Sequence, residues 1–458
     1  MRHGVPAVLL LAAALAACAG PRPGIPSSAA VAEPLDWRSP AGTGDAVQDG
    51  WWHAFGDPVL DRLIERAQAN NTDILTAAAR VEEARAQFRL ARSAELPTLD
   101  LQGGGGPQRA LNAFGIGTNQ TPGQAQAVAS YDLDLFGRLR EATAASRASL
   151  LSTEAAGDTV KLAITGSVAS GYLTLRALDQ RLVVVKETLA TRADALHYAR
   201  RRAETGYTSQ LEFQQAQAEY EQARQLVPAI ELNIAQAENG LSILLGDNPR
   251  AIERGLALAA VQLPSVPAAL PSALLRQRPD ILQAEQALVA ADHSLDSARA
   301  AFIPTVRLSA SGGALVSNLL PDPVTIFSVG GSILAPIFEG GRLRANADAA
   351  AARRDQAAFA YRKAALTAFR EVEDSLAAVQ RLADQEEALV KQRDALSQAV
   401  RLASNRYRAG YSSYIEQLDA QRSLLTVELL LVQTRADRLN AAVNLYRALG
   451  GGWVGLPN

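Results

Sequence analysis

A mainly α-helical fold with a small β part is predicted for this chain of 458 residues, with one structural unit used twice. Three observations carry that prediction. The sequence matches itself at an offset of 204: Arg202, Gly206, Tyr207, Ser209, Glu212 and Gln217 return as Arg406, Gly410, Tyr411, Ser413, Glu416 and Gln421. Gly137, Arg138, Leu139 and Arg140 return in the same way as Gly341, Arg342, Leu343 and Arg344, and Leu245-Gly246 as Leu449-Gly450, which is the signature of a repeated unit. Next, residues 138–205 hold no proline and follow a helical period, and residues 342–409 match them in length. Finally, residues 101–131 and 308–338 each carry a single charge, Arg109 and Asp322, and alternate at their ends, which predicts strands.

Residues 1–17 place Arg2 and His3 before an apolar run that ends in Leu15-Ala16-Ala17. This is the layout of a secretory signal, too short to span a bilayer as a helix. Cys18 follows it and is the one cysteine of the chain, so no internal disulfide can form. Residues 18–50 are rich in Pro, Gly, Ser and Ala without helical period, and predict an extended tether.

The first repeat is assigned to 51–246. Asp57 and Pro58 suit the cap and first position of a helix over about 59–96. A β-hairpin follows at about 97–136, where Leu99 and Leu101, then Ala125, Ala127, Ala129, Tyr131, Leu133 and Leu135, keep one parity. The long helix at 138–205 spans about 100 Å at 1.5 Å per residue. Its stripe of Ile164, Val168, Tyr172, Leu175, Leu178, Leu182, Val185 and Leu189 has a mean spacing between that of a straight helix and a coiled coil. Gly206 marks a reversal, since glycine tolerates positive φ, and a return helix fills 209–245. Residues 247–270, with Pro249, Pro264 and Pro267, read as an irregular linker around the outside.

The second repeat, 271–450, runs through a helix over 271–302, a hairpin at about 304–338 with its turn at 318–323, a long helix, a tip at Gly410 and a return helix over 413–449. The helices at 59–96 and 271–302 have the length to cover the half of each long helix that its return helix leaves bare. Residues 451–458 form a short tail.

The 45 Lys and Arg nearly balance 47 Asp and Glu, leaving no basic footprint for nucleic acid. His3, His53, His197 and His293 are scattered without metal spacing, and Gly103 to Gly106 lack the lysine of a phosphate loop. Glu371, Glu373 and Asp374 lie inside a helical pattern. The chain is therefore read as a protein without catalytic residues, bound metal or cofactor. Four strands cannot close a barrel, and open edges in a bilayer leave backbone groups unpaired. Three copies would supply twelve strands and six helical hairpins around one axis.

Leu-Ala-Ala-Cys ending the signal resembles the bacterial lipobox, which implies a lipidated Cys18; Ala19 after it implies delivery to the outer membrane of a Gram-negative bacterium. Trp51-Trp52 with Phe55-Gly56-Asp57-Pro58, Arg278-Pro279-Asp280-Ile281 with Ala284-Glu285, Phe302 with Pro304, Gly340-Gly341-Arg342, Arg406 with Gly410, and Leu418-Asp419-Ala420-Gln421 resemble the TolC and OprM-like outer-membrane efflux channels, in their NodT-like lipoprotein branch. The resemblance covers nearly the whole mature chain. It implies a homotrimer in which four strands per chain build a 12-stranded transmembrane β-barrel and the coiled-coil-like hairpins form an α-barrel tunnel across the periplasm. The partners it implies are a periplasmic adaptor (membrane fusion) protein and an inner-membrane pump of the RND type.

Ser412, Ile415, Glu416 and Asp419 share one face of the return helix. If that face lines the bore, three copies bring six carboxylates and three isoleucines to the narrow end; the alternative is a solvated face. The resemblance implies acidic rings at Glu416 and Asp419, a hydrophobic constriction at Ile415, and a latch in which Tyr407 bonds across to Glu212. TolC has an arginine where this chain has Ser412, and the first hairpin has Gln215 in place of Asp419. The surface around Gly206, Tyr207, Gly410 and Tyr411 is the expected docking site for the adaptor. A lipid-anchored periplasmic coiled-coil scaffold without a pore is the rival reading, and it leaves the two charge-poor hairpins unexplained.

Overall fold

The computed structural model describes residues 21–39, 42, 44, 47–111, 114–268, 271–453 and 455. The signal segment and Cys18 lie outside them. Helices α1 (Pro58–Asn70) and α2 (Thr72–Ser93) lead to strands β1 (Thr98–Gly105), β2 (Gln108–Leu111), β3 (Gly117–Gln120) and β4 (Pro122–Leu133). Then come α3 (Arg138–Glu204) and α4 (Gln210–Leu244). The second repeat gives α5 (Pro271–Gln277), α6 (Pro279–Ala300), β5 (Thr305–Ser317), β6 (Val324–Leu334), α7 (Arg342–Arg408) and α8 (Tyr414–Ala448). The long helices α3 and α7 are 67 residues each, and the return helices α4 and α8 are 35.

The helix expected over 59–96 is two helices, and so is the one expected over 271–302. Asn71 makes the first break: its Oδ1 accepts from the amides of Asp73 and Ile74 at 2.9 and 3.2 Å, which starts α2 afresh. Its Nδ2 donates to the Leu244 carbonyl at the end of α4, 2.8 Å away. Arg278 repeats this one unit later, donating through Nη1 to the Ala448 carbonyl at the end of α8 at 2.9 Å. Each break thus satisfies a carbonyl that the end of a return helix leaves without an intrahelical partner.

The strands form a four-stranded antiparallel sheet in the order β1-β4-β5-β6, with β4 and β5 joining the two repeats, Ala129 opposite Ala310. Each expected hairpin is present, but the first carries an extra two-stranded ribbon, β2 with β3, pairing Gln108 with Gln120 through Leu111 with Gly117. Those four-residue strands have no apolar alternation to announce them. Leu99, Leu101, Phe327, Val329 and Ile333 point out of the sheet exposed.

The chain divides into two compact units, and neither is a repeat. Among the described residues, one takes those of 21–31, 79–155 and 282–363, including the sheet; the other takes those of 32–78, 156–281 and 364–455. The core of the second unit packs Trp51, Phe55, Leu60 and Ile64 against Val168, Tyr172 and Leu175 of α3 and Leu439 and Val443 of α8. Its linker is pinned rather than loose. Asp57 is fully buried; Oδ1 caps Val59 at 2.9 Å, while Oδ2 accepts from Tyr172 Oη at 2.8 Å and from the Leu256 amide at 3.0 Å. Burial and that hydrogen bond raise the pKa of Tyr172 well above the ordinary phenol value.

Residues 21–39, part of the expected extended tether, are also held. In the first unit Arg22 pairs with Asp292 at 2.7 Å and Asp296 at 2.8 Å on α6. In the second, Trp37 meets Phe369 edge to face and Glu373 accepts from the amides of Arg38 and Ser39. Glu371, its neighbour, pairs with Arg278 at 2.8 Å. These carboxylates are fastenings for the chain.

Candidate functional site

Both hairpin tips close in the same way. Tyr207 N donates to Arg202 O at 2.8 Å and Gly206 N to Ala203 O at 3.1 Å; Tyr411 N and Gly410 N do the same to Arg406 O and Tyr407 O, at 2.9 and 3.0 Å. These paired bonds need a left-handed residue after the helix, and Gly206 and Gly410 supply it with φ of 72° and 78°. Ser209 then caps α4 by accepting from Glu212 N, whereas Ser413 makes no side-chain cap.

The structure brings Tyr407 and Glu212 together. Tyr407 is buried and its Oη donates to Glu212 Oε2 at 3.2 Å, linking α7 of the second hairpin to α4 of the first. Its ring tilts against Tyr414 at 5.5 Å and meets Tyr198 edge-on at 6.2 Å. Ala199, Ala216, Tyr414 and Leu418 complete this small core. Arg202 lies over three tyrosine rings, Tyr207 at 4.6 Å, Tyr407 at 5.2 Å and Tyr198 at 5.4 Å, an arrangement in which ring faces meet the cation in place of hydrogen-bond acceptors.

Burial, reinforced by the Glu212 charge, pushes the Tyr407 phenol up to about 12, with Arg202 opposing the shift. Because the folded value lies above the unfolded one of about 10, the contact is at full strength below pH ~10 and fades as pH rises through about 12. It is therefore constant across physiological pH. Tyr407→Phe is expected to cost about 1 kcal/mol of tip stability and to remove, from a spectrophotometric titration, a tyrosine that ionises near 12. A mutant losing instead a tyrosine that ionises near 10 would contradict this environment.

Ile415, Glu416 and Asp419 are exposed on the protomer, Ile415 at 44%. Tyr414, Gln417, Leu418 and Gln421, on the opposite face of α8, are buried. Tyr207 and Tyr411 stand out at 75% and 80% exposure. The sequence reading missed a second link between the hairpins: Glu219 of α4, 3% exposed, is held by Arg192 of α3 and Arg422 of α8. Only Glu219 at a seam-facing spacing of seven from Glu212 could have signalled it.

Among the described residues no helix is long and apolar enough to cross a membrane. Long paired helices in one chain with a four-stranded antiparallel sheet, unpaired at both edges and apolar on an exposed face, define a channel-forming membrane protein. Residues 63–247 and 270–451 match the outer membrane efflux protein family. The chain is 39% identical to the probable efflux pump outer membrane protein TtgC of Pseudomonas putida, over 89% of this chain and 86% of that one. It is 34% identical to outer membrane protein OprJ of Pseudomonas aeruginosa, over 97% and 95%. The open state of the Neisseria gonorrhoeae MtrE outer membrane channel superposes with a TM-score of 0.82 at 32% identity, over 94% of this chain and 98% of that one. The chain belongs to the outer membrane efflux protein family. It is the outer-membrane channel component of an efflux system.

Proposed function

We propose that three copies of the chain form one conduit that takes small molecules from an RND-type inner-membrane pump, through a periplasmic adaptor, across the outer membrane. The observation that carries this reading is the sheet. β1 and β6 are its free edges, and β6 of one copy meeting β1 of the next continues the antiparallel alternation, so three copies close twelve strands with no edge left unpaired. The exposed apolar side chains of β1 and β6 then face lipid.

Cys18 is proposed as the lipidated residue. It precedes Arg22 by four residues, a reach of at most ~14 Å, and Arg22 is fastened to α6 of the unit that contains the sheet. Ile415, Glu416 and Asp419 are proposed to narrow the bore, with Tyr407 and Glu212 holding the tip. Gly206, Tyr207, Gly410 and Tyr411 are proposed to receive the adaptor, for which the exposed tyrosines offer the amphipathic contact area that interfaces favour.

The test is planar-bilayer recording of the purified, membrane-extracted protein, with the oligomer followed by heat-modifiable migration on a gel and the N-terminus by mass. Discrete cation-selective steps from a heat-sensitive trimer with acylated Cys18 are expected. A verified oligomer that conducts nothing would favour the pore-free scaffold.

A further inference from the structure

We propose that the apolar face of β5 and β6 is where the chain's own acyl groups lie, delivered by residues 18–20 from a stiff strap that begins at Pro21; this rests on the reading of Cys18 as the lipidated residue. Four arginine contacts hold the strap within the unit that contains the sheet. Arg299, one residue before the end of α6, donates to Pro21 O at 3.3 Å. Arg22 reaches back to Asp292 and Asp296 of α6. Arg354 of α7 is fully buried and donates to Pro23 O and, at 2.8 Å, to Gly24 O, while Arg362 donates to Ser28 O.

Those contacts give the strap a fixed place and little freedom. Pro21, Pro23 and Pro26 fix their own φ and keep the residues before them extended, and Pro26, at φ −57° and ψ 130°, has polyproline geometry. A buried guanidinium has five donors to satisfy. Arg354 gives Nε and Nη2 to Asp355, and Nη1 and Nη2 to the strap carbonyls, so the strap completes a set of desolvated bonds that would be costly to leave unmade. Cys18, outside the described residues, precedes Pro21 by three residues, a reach of at most ~11 Å. Pro21 meets the last turn of α6, and β5 starts at Thr305, five residues after α6 ends. Acyl groups on Cys18 therefore enter the bilayer near the foot of β5.

Charge decides which repeat receives the strap. The helices that precede the strands repeat at an offset of 207, Asp73 with Asp280 and Pro97 with Pro304, so Asp292 and Asp296 correspond to Arg85 and Arg89. Arg22 is attracted to α6 and would be repelled by α2. At the offset of 204, Arg354 and Arg362 correspond to Leu150 and Asp158, and neither a leucine nor an ionised aspartate has a hydrogen to give a carbonyl. The anchor thus belongs to the hairpin of the second repeat. On one face of that hairpin Phe327 and Val329 are both 84% exposed, with Leu308 and Ile333 beside them. Gly312 sits opposite Phe327, and a Cβ there would meet nothing within 4 Å, which leaves a hollow beside the ring for a methylene chain.

The experiment feeds cells a fatty acid that carries a diazirine at its chain end, illuminates the membranes, and maps cross-linked peptides of the full-length protein by mass spectrometry. Bridges that join the Cys18 peptide to β5 or β6 report the anchor, whereas adducts of a phospholipid report the bulk bilayer. In the wild type, bridges to β5 and β6 are expected to outnumber those to β1 and β4. A Gly/Ser insertion of about fifteen residues between Ala19 and Gly20 touches no described residue. By lengthening the span to Pro21 from three residues to about eighteen, it is expected to lower the β5 and β6 bridges roughly tenfold, the −3/2-power loss of effective concentration. Bridges unchanged by the insertion, bridges spread evenly over the four strands in the wild type, or phospholipid adducts alone on β5 and β6 would each overturn the proposal. The N-terminal mass separates the two readings. An unmodified Cys18 would remove the lipid reading and the placement with it, while an acylated Cys18 without these bridges would remove the placement alone.

Discussion

Glu416→Ala combined with Asp419→Ala is expected to enlarge the single-channel conductance and to weaken block by divalent cations on the order of tenfold. Both side chains project from the exposed face of α8, immediately after the turn at Gly410, while Tyr414, Gln417 and Leu418 hold the opposite face in the protein. Replacing the pair therefore changes charge and bulk in the proposed aperture without touching the core of the tip. In the proposed trimer six carboxylates crowd a narrow ring, where they concentrate cations and offer several oxygens to a single divalent ion. The first hairpin contributes less, having Gln215 at the position equivalent to Asp419. The check is conductance against Mg²⁺ concentration for wild type and double mutant. Identical curves would remove these residues from the aperture.

Gly450→Ala is expected to destabilise the protein by roughly 3 kcal/mol or more, the largest stability effect predicted for a single added methyl. Gly450 has φ of 91°, and a Cβ there would lie 1.8 Å from the Gln277 carbonyl oxygen. Gly246, its repeat mate, has φ of 74° and would place a Cβ 2.3 Å from Asn70 O. At both positions the chain leaving a return helix runs against the residue before a helix break, so backbone, not a yielding side chain, occupies the space. Gly206→Ala is the control: φ is 72° but nothing lies within 4 Å, so only the left-handed strain of about 1–2 kcal/mol applies. Thermal dissociation of the oligomer on gels would rank them, and equal loss in the two mutants would contradict the clash.

The helical hairpins were legible because their signals are local and repeated: the period of Ile164, Val168, Tyr172 and Leu175, the absence of proline in 138–205, and glycines at 206 and 410 that the backbone needs at positive φ. The strands were legible from alternation, and the β2–β3 ribbon was not because it has none. The break at Arg278 had a local signal, Pro279, which suits the first position of a new helix; what no local pattern could supply is the side chain at each break, Asn71 and Arg278, reaching a carbonyl 173 and 170 positions away.

The same division holds for the tip. Sequence by itself determined that two equivalent reversals exist, that Ile415, Glu416 and Asp419 share a helix face, and, through family resemblance, that Tyr407 and Glu212 would pair. Only the tertiary structure decided that Arg202 is caged by Tyr198, Tyr207 and Tyr407, and that a buried Glu219 is shared between Arg192 and Arg422. Periodicity reports which residues lie on one face of one helix. Which face of which helix a charge meets depends on how helices distant in sequence pack, and no local pattern encodes that pairing.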